Sequence, residues 1–261
     1  MTWYNGIFLF LRIGESISLL ILGIMWARKT KVTPVFRPLT AYLLCDSFLY
    51  VFDTFARKVL HNNIFAFHIS TFCDATWLTL IFINLASDNT RNWLKIGWLL
   101  FFASAITSAL WVDGLITNMN TLSRTVGNCF LVFMAFRQLN QMIRHDYLVP
   151  PAKSPVFIFC FIVGIYYSCS LLMFIGQDLS RYSWLSNSII RFNQQHNGVS
   201  ALWFYPFLRA LQFGMLLHLI TLFPMGVTPR HALPQWLRFR LGWRPPTKNW
   251  RYRVLPPHLV G

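Results

Sequence analysis

Charge is what this sequence has least of. Charged residues make up 12% of it, about half the share usual in a soluble domain, and only eight residues are acidic. The 261 residues are 55% hydrophobic, and apolar runs recur along nearly the whole length, leaving no stretch for a separate soluble core. Five cysteines, Cys45, Cys73, Cys129, Cys160 and Cys169, all lie inside apolar runs. None forms a CxxC pair, which excludes a redox dithiol or cysteine zinc motif and leaves each thiol as a small apolar side chain.

Motifs of known chemistry are missing too. There is no HExxH string or His/carboxylate cluster for a metal, no P-loop, no dinucleotide fingerprint and no serine nucleophile elbow. The last apolar run contains Arg209 but no lysine to carry a retinal Schiff base. His68 and His218 fall near opposite sides of the membrane and cannot share a haem iron, while His61 and His68 stand seven residues apart, about 10 Å along a helix. Neither an enzyme nor a metal or cofactor site is expected. Aromatics reach 17%, with 25 Phe and 11 Trp; interface belts and lipid-facing packing account for most of them, with a pigment or quinone site as the minor alternative.

Present instead are windows long enough to cross lipid, which takes roughly 20 mostly apolar residues. Seven qualify: Ile7–Ala27, Leu39–Val59, Ile64–Leu85, Ile96–Ile116, Thr121–Ile143, Val156–Ile175 and Leu202–Phe223. Nothing alternates with period two, and unpaired backbone is not tolerated in lipid, so the windows are helices and the fold class is an all-α bundle of seven transmembrane helices. The N-terminal Met1-Thr-Trp-Tyr-Asn-Gly lacks a basic n-region and no small-residue cleavage site follows, so the first helix is expected to be retained.

Basic residues set the orientation. One set of connections carries Arg28, Lys29, Lys31, Arg37, Arg91, Lys95, Arg137, Arg144, Lys153 and the arginines and lysine of the tail; the opposite set carries Arg57, Lys58, Arg124, Arg181 and Arg191. The imbalance places the N-terminus outside and the C-terminus in the cytoplasm. The chain divides into a transmembrane domain over 1–225 and a basic, Pro/Trp/Arg-rich cytoplasmic tail over 226–261. The net charge of +15 is then a topology signal and not a nucleic-acid footprint. In the tail, Trp236, Arg238, Arg240, Trp243, Arg244, Trp250 and Arg251 interleave rings with cations, a mixture suited to anionic lipid headgroups, with a cytoplasmic protein partner as the alternative. Prolines at 234, 245, 246, 256 and 257 argue against one continuous tail helix. In the connection from Gly176 to Ser200, Trp184, Leu185, Ile189 and Phe192 have near-helical spacing, fitting either a short surface helix or an ordinary polar loop.

Ionisable groups inside spans are costly and are the default candidates for a site. Counting inward from the outer ends places Arg12, Glu15, Asp53, His68, Asp74, Arg124 and Arg209 in the outer half, with Asp46 and His218 deeper. Two readings stand: interhelical pairs that serve packing, or a polar pocket open to the outer face in which Arg209 clamps an anionic or carbonyl ligand, lined by Tyr166, Tyr167 and Tyr205.

The string His61-Asn-Asn-Ile-Phe-Ala-Phe-His68-Ile-Ser-Thr-Phe-Cys-Asp74, with Ser123-Arg124-Thr125, Gly164-Ile-Tyr166-Tyr-Ser-Cys-Ser170 and Leu202-Trp203 in the same order, resembles a family of small seven-helix membrane proteins of Bacteroidota. That family places a glutamate where Asp74 stands and an acid where Asn128 stands. The resemblance spans roughly Gly14 to Phe223; it implies seven helices and residence in a bacterial inner membrane, and it supplies no activity. The expected function is that of a sensory or ligand-binding seven-helix protein. The alternatives are an accessory subunit held against other membrane proteins and a small-molecule or proton-coupled transporter.

Overall fold

The computed structural model describes residues 16–116, 120–144, 151–179 and 199–224, without the side chains of 88–89, 174–179 and 199–206. These residues form seven helices: α1 (Ser16–Ala27), α2 (Arg37–Phe55), α3 (Ile64–Leu85), α4 (Asp88–Thr107), α5 (Thr121–Arg144), α6 (Pro155–Leu179) and α7 (Val199–Thr221). Four stretches are long and apolar enough to cross a membrane: Pro34–Leu60, Ile64–Leu85, Thr90–Val112 and Pro155–Met173. Ser16–Ala27 and Phe207–Thr221 are apolar but shorter. α5 has the length, but it lines the bundle interior and spends part of its sequence on Ser123, Arg124 and Asn128.

Successive helices run in opposite directions. Three contacts gather the connections at one end: the amide of Lys31 donates to the carbonyl of Pro224 at 2.9 Å, Asn84 to the carbonyl of Val35 at 3.3 Å, and Arg137 to the Thr90 hydroxyl at 2.8 Å. Arg28, Lys29, Lys31, Arg37, Arg91, Lys95, Arg137, Arg144 and Lys153 all belong to this basic end. At the opposite end Asn62 donates to the carbonyl of Ile116 at 3.0 Å, joining the α2–α3 and α4–α5 connections.

Helix boundaries follow local chemistry. Ser154 caps α6, its Oγ accepting from the Phe157 amide at 3.3 Å with Pro155 next in line. Asp113 does the same for α5: its carboxylate accepts from the Ser108 hydroxyl at 2.5 Å, the Thr121 hydroxyl at 3.1 Å and the Leu122 amide at 3.4 Å, which suits an anion at a helix start. α2 and α4 each end in a π-helical turn, Ala56–Leu60 and Ser108–Val112, followed by left-handed backbone at His61 (φ 54°) and Gly114 (φ 74°). α7 continues through Pro206.

Two expectations are corrected here. α4 begins at Asp88, not near Ile96, so Arg91 and Lys95 occupy its first turns and not a connection. Ser87, extended at ψ 158°, marks the boundary; its polar followers are compatible with a helix though not with an apolar window. The other concerns depth. Asn120, just before α5, is buried in the bundle and donates to the Phe67 carbonyl at 3.1 Å and to the Thr71 hydroxyl at 2.6 Å. α5 therefore starts level with the second turn of α3. The first helix over 7–15, the connection over 180–198 and the tail lie outside the described residues.

Polarity is inverted relative to a soluble bundle. Exposed side chains include Leu44, Phe48, Val51 and Phe55 along one stripe of α2, and Phe133 and Phe136 on α5, while Asp46, Ser47, Thr71, Ser123, Asn128, Ser170 and Gln212 are buried. Trp93 on α4 and Trp111 in the π-helical turn that follows it are both largely exposed and stand eighteen residues apart, about 27 Å, close to the hydrocarbon thickness. An apolar core of Phe36, Phe82, Phe159 and Phe223 closes the basic end, with ring centroids 5.2–5.6 Å apart. α4 and α5 interlock by exchanging rings and gaps: Phe130 lies over Gly97, and Phe101 over Gly127, where a Cβ would meet the ring at 2.9 Å.

Candidate functional site

Halfway along the bundle, α2, α3, α5, α6 and α7 bring their polar residues to one place. Arg209 of α7 forms an ion pair with Asp46 of α2, both nearly buried at 11% and 7% side-chain exposure. The same guanidinium donates to the Tyr166 hydroxyl at 3.2 Å and to Gln212 Oε1 at 3.1 Å, and stacks 4.9 Å from the ring centre of Phe213. Gln212 Nε2 passes the chain on to the Tyr42 hydroxyl at 3.1 Å. Charge, donors and acceptors thus interlock across three helices, and low local dielectric strengthens each link.

Beside this network lies a small cavity, about 10 Å³ when measured as the space open to the centre of a water molecule. That is room for about one water. Thr71, Asp74, Arg124, Asn128, Tyr166, Tyr167 and Ser170 contribute its polar walls. Asn128 Nδ2 donates to Ser170 Oγ at 3.3 Å, bridging α5 and α6. The Tyr167 hydroxyl is buried with no hydrogen-bond partner among the described residues. Asp74 has neither a hydrogen bond nor an ion pair among them, yet stands within electrostatic range of Arg209, Asp46 and Arg124. The other acids whose side chains are described all have partners: Asp46 has Arg209, Asp53 has Arg57 and Asn63, and Asp113 caps α5.

The residues singled out from sequence divide accordingly. Asp74, Arg124 and Tyr166 line the cavity, and Arg209 adjoins it through Tyr166. Asp53 belongs elsewhere: it pairs with Arg57 one turn on and accepts from Asn63 at 2.7 Å, close to the α2–α3 connection. His68 is a separate feature of α3, its Nε2 buried with no hydrogen-bond partner among the described residues. Arg12, Glu15 and the tail residues Trp236, Arg238, Arg240, Trp243, Arg244, Trp250 and Arg251 lie outside the described residues, as does the side chain of Tyr205. Asp46, expected deeper than Arg209, is its direct partner. α7 begins at Val199 and not at Leu202, which brings Arg209 near the middle of its helix, level with Asp46 in the middle of α2. Gln212 and Tyr42 drew no notice in the sequence; their signal is helical spacing, Gln212 being one turn from Arg209 and Tyr42 one turn from Asp46.

A second buried cation anchors the basic end. Arg28 is 2% exposed and donates to the Ile220 carbonyl in the last turn of α7 at 3.5 Å, a favourable place for a cation. Burial draws its pKa below the ordinary guanidinium value. Among the described residues no three His, Cys, Asp or Glu side chains group to hold a metal ion. The chain matches no protein-family model, no curated protein and no solved structure.

Proposed function

We propose that the chain crosses a bacterial inner membrane seven times, N-terminus outside and C-terminal tail in the cytoplasm, and that its central ion cluster makes it a proton-responsive sensory protein. Inverted polarity supports the crossing, as does the gathering of basic residues at the end that would face the cytoplasm. The likeness to the seven-helix proteins of Bacteroidota points the same way.

One observation carries the functional reading. Two carboxylates, Asp46 and Asp74, stand within electrostatic range of a single guanidinium, Arg209, and only Asp46 is bonded to it. With Asp74 protonated, Arg209 ties α7 to α2. An ionised Asp74 competes for the same cation and draws α7 toward α3. Arg124 from α5 moderates the contest, and Tyr42, Tyr166 and Tyr167 supply hydroxyls around it. Protonation then biases two arrangements of one bundle, which is the physical content of a pH sensor. A cavity for about one water suits a proton better than the organic ligand of the pocket reading.

The test is a pair of spin labels on the exposed positions Phe48 of α2 and Leu211 of α7, read in liposomes between about pH 4 and pH 9 to cover carboxyl titration in unusual surroundings. The parent protein shifts its α2–α7 distance with pH, and Asp74→Asn stays fixed in the low-pH arrangement. If the variant titrates like the parent, the reading fails. Proton flux into the same liposomes separates transport from sensing.

A specific observation favours a second reading, the accessory subunit: only 11% of the apolar window of α4 is buried. Photocrosslinkers at Leu99 and Leu100 in native membranes would trap a partner helix there, or lipid alone.

A further inference from the structure

We propose that the groove between α1 and α2 at the basic end holds an anionic phospholipid, its phosphate on Lys29 and an acyl chain along the apolar wall. The groove goes beyond the central cluster and rests only on the chain being embedded in a membrane. It is an open groove of about 750 Å³, in the size range of sites that take small molecules. Leu22 and Met25 of α1, Val32 of the connection and Leu44 of α2 form its apolar walls. Leu44 also begins the outward stripe Leu44, Phe48, Val51, Phe55, so the groove opens on the side that would face lipid. Trp26, 84% exposed, stands at its rim where interface aromatics belong.

The mouth is built for an anion. α1 ends in a double turn in which the Thr30 amide reaches the Met25 carbonyl at 3.0 Å and the Lys29 amide the Trp26 carbonyl at 3.0 Å. That motif puts Lys29 in left-handed backbone, φ 46°, where glycine would be the cheaper residue. A strained, exposed lysine at the mouth therefore has something to gain from its side chain. Among the described residues Lys29 has no carboxylate partner, and Thr30 Oγ1, which borders the groove, is buried without a hydrogen-bond partner. From Arg28 to Arg37 the chain has four cations and no acid. This charge selects the occupant: an anionic headgroup is attracted, and the basic tail of the same chain is repelled.

The experiment is native mass spectrometry of the full chain in mild detergent, offered phosphatidylglycerol, phosphatidylcholine or free glycerol phosphate. The parent retains phosphatidylglycerol in preference to the other two. Lys29→Gln lowers that retention about fivefold, the worth of one cation near an anionic surface. Leu44→Trp, at a position 55% exposed, fills the wall and removes retention while leaving the thermal midpoint near the parent's; Thr40→Phe blocks the same wall should that variant fail to fold. Equal retention of the two lipids, or binding of free glycerol phosphate as strong as of lipid, overturns the assignment. So does parental retention in both variants, because the unchanged tail would then be the binding element. A parent that retains no phospholipid at all overturns the groove assignment and leaves membrane embedding, which labelling from each side tests, unaffected.

Discussion

Replacing Asp46 by leucine takes from the buried Arg209 the carboxylate bonded to it and leaves only Asp74, unbonded, within electrostatic range. The pair sits at 11% and 7% side-chain exposure, so solvent screens it little. Two unit charges 4 Å apart attract by about 4 kcal/mol at an effective dielectric of about 20, and removing one partner of a buried pair costs about 3–5 kcal/mol. Arg209→Met costs a similar amount, since it orphans Asp46 and also removes a donor to the Tyr166 hydroxyl and to Gln212 Oε1. The double variant D46L/R209M removes both charges together and replaces them with apolar side chains of comparable bulk. Such replacements of buried ion pairs are often close to neutral, so the double variant regains more than half of the summed single losses. Reversible unfolding in mixed detergent micelles, followed by helical circular dichroism, measures all four corners of the cycle. Additive losses would mean that the two groups do not pair in the membrane, and the account of the central cluster would fall with them.

Two further changes probe the frame around that cluster. Gly127→Leu pushes into the Phe101 ring, which a Cβ alone would meet at 2.9 Å, and destabilises the α4–α5 contact by about 1–3 kcal/mol; Phe101→Ala in the same chain restores part of the loss, and no restoration would refute the interlock. Asp113→Ala removes the acceptor for Ser108, Thr121 and the Leu122 amide, costing about 1–2 kcal/mol and raising hydrogen exchange in the first turn of α5, whereas unchanged exchange there would show that the cap is not formed.

How far the sequence could be read depended on which force decided each feature. Ile64–Leu85 reads to the residue, because nothing but an apolar helix can occupy that stretch in lipid. The start of α4 escapes a search for apolar windows, since Arg91 and Lys95 extend a helix that hydropathy alone would begin at Ile96. Asp74, Arg124 and Tyr166 were legible as candidates because an ionisable group or buried phenol in a span demands a reason. Asp53 satisfied the same rule for a different reason, having Arg57 four residues on, a local partner at helical spacing. The union of Asp46 with Arg209 was beyond reach. It links positions 163 residues apart, and the depth of each depends on helix ends that only the packed bundle fixes.

Membrane threading carries the whole account, and side-specific labelling tests it most directly. In a background with the five native cysteines replaced, single cysteines are placed at Lys58 or Gly114 and at Lys29 or Lys153, then exposed to a membrane-impermeant maleimide on intact spheroplasts. The account predicts that 58 and 114 label at once and that 29 and 153 label only after the membrane is opened. Labelling of both pairs from the same side would contradict it.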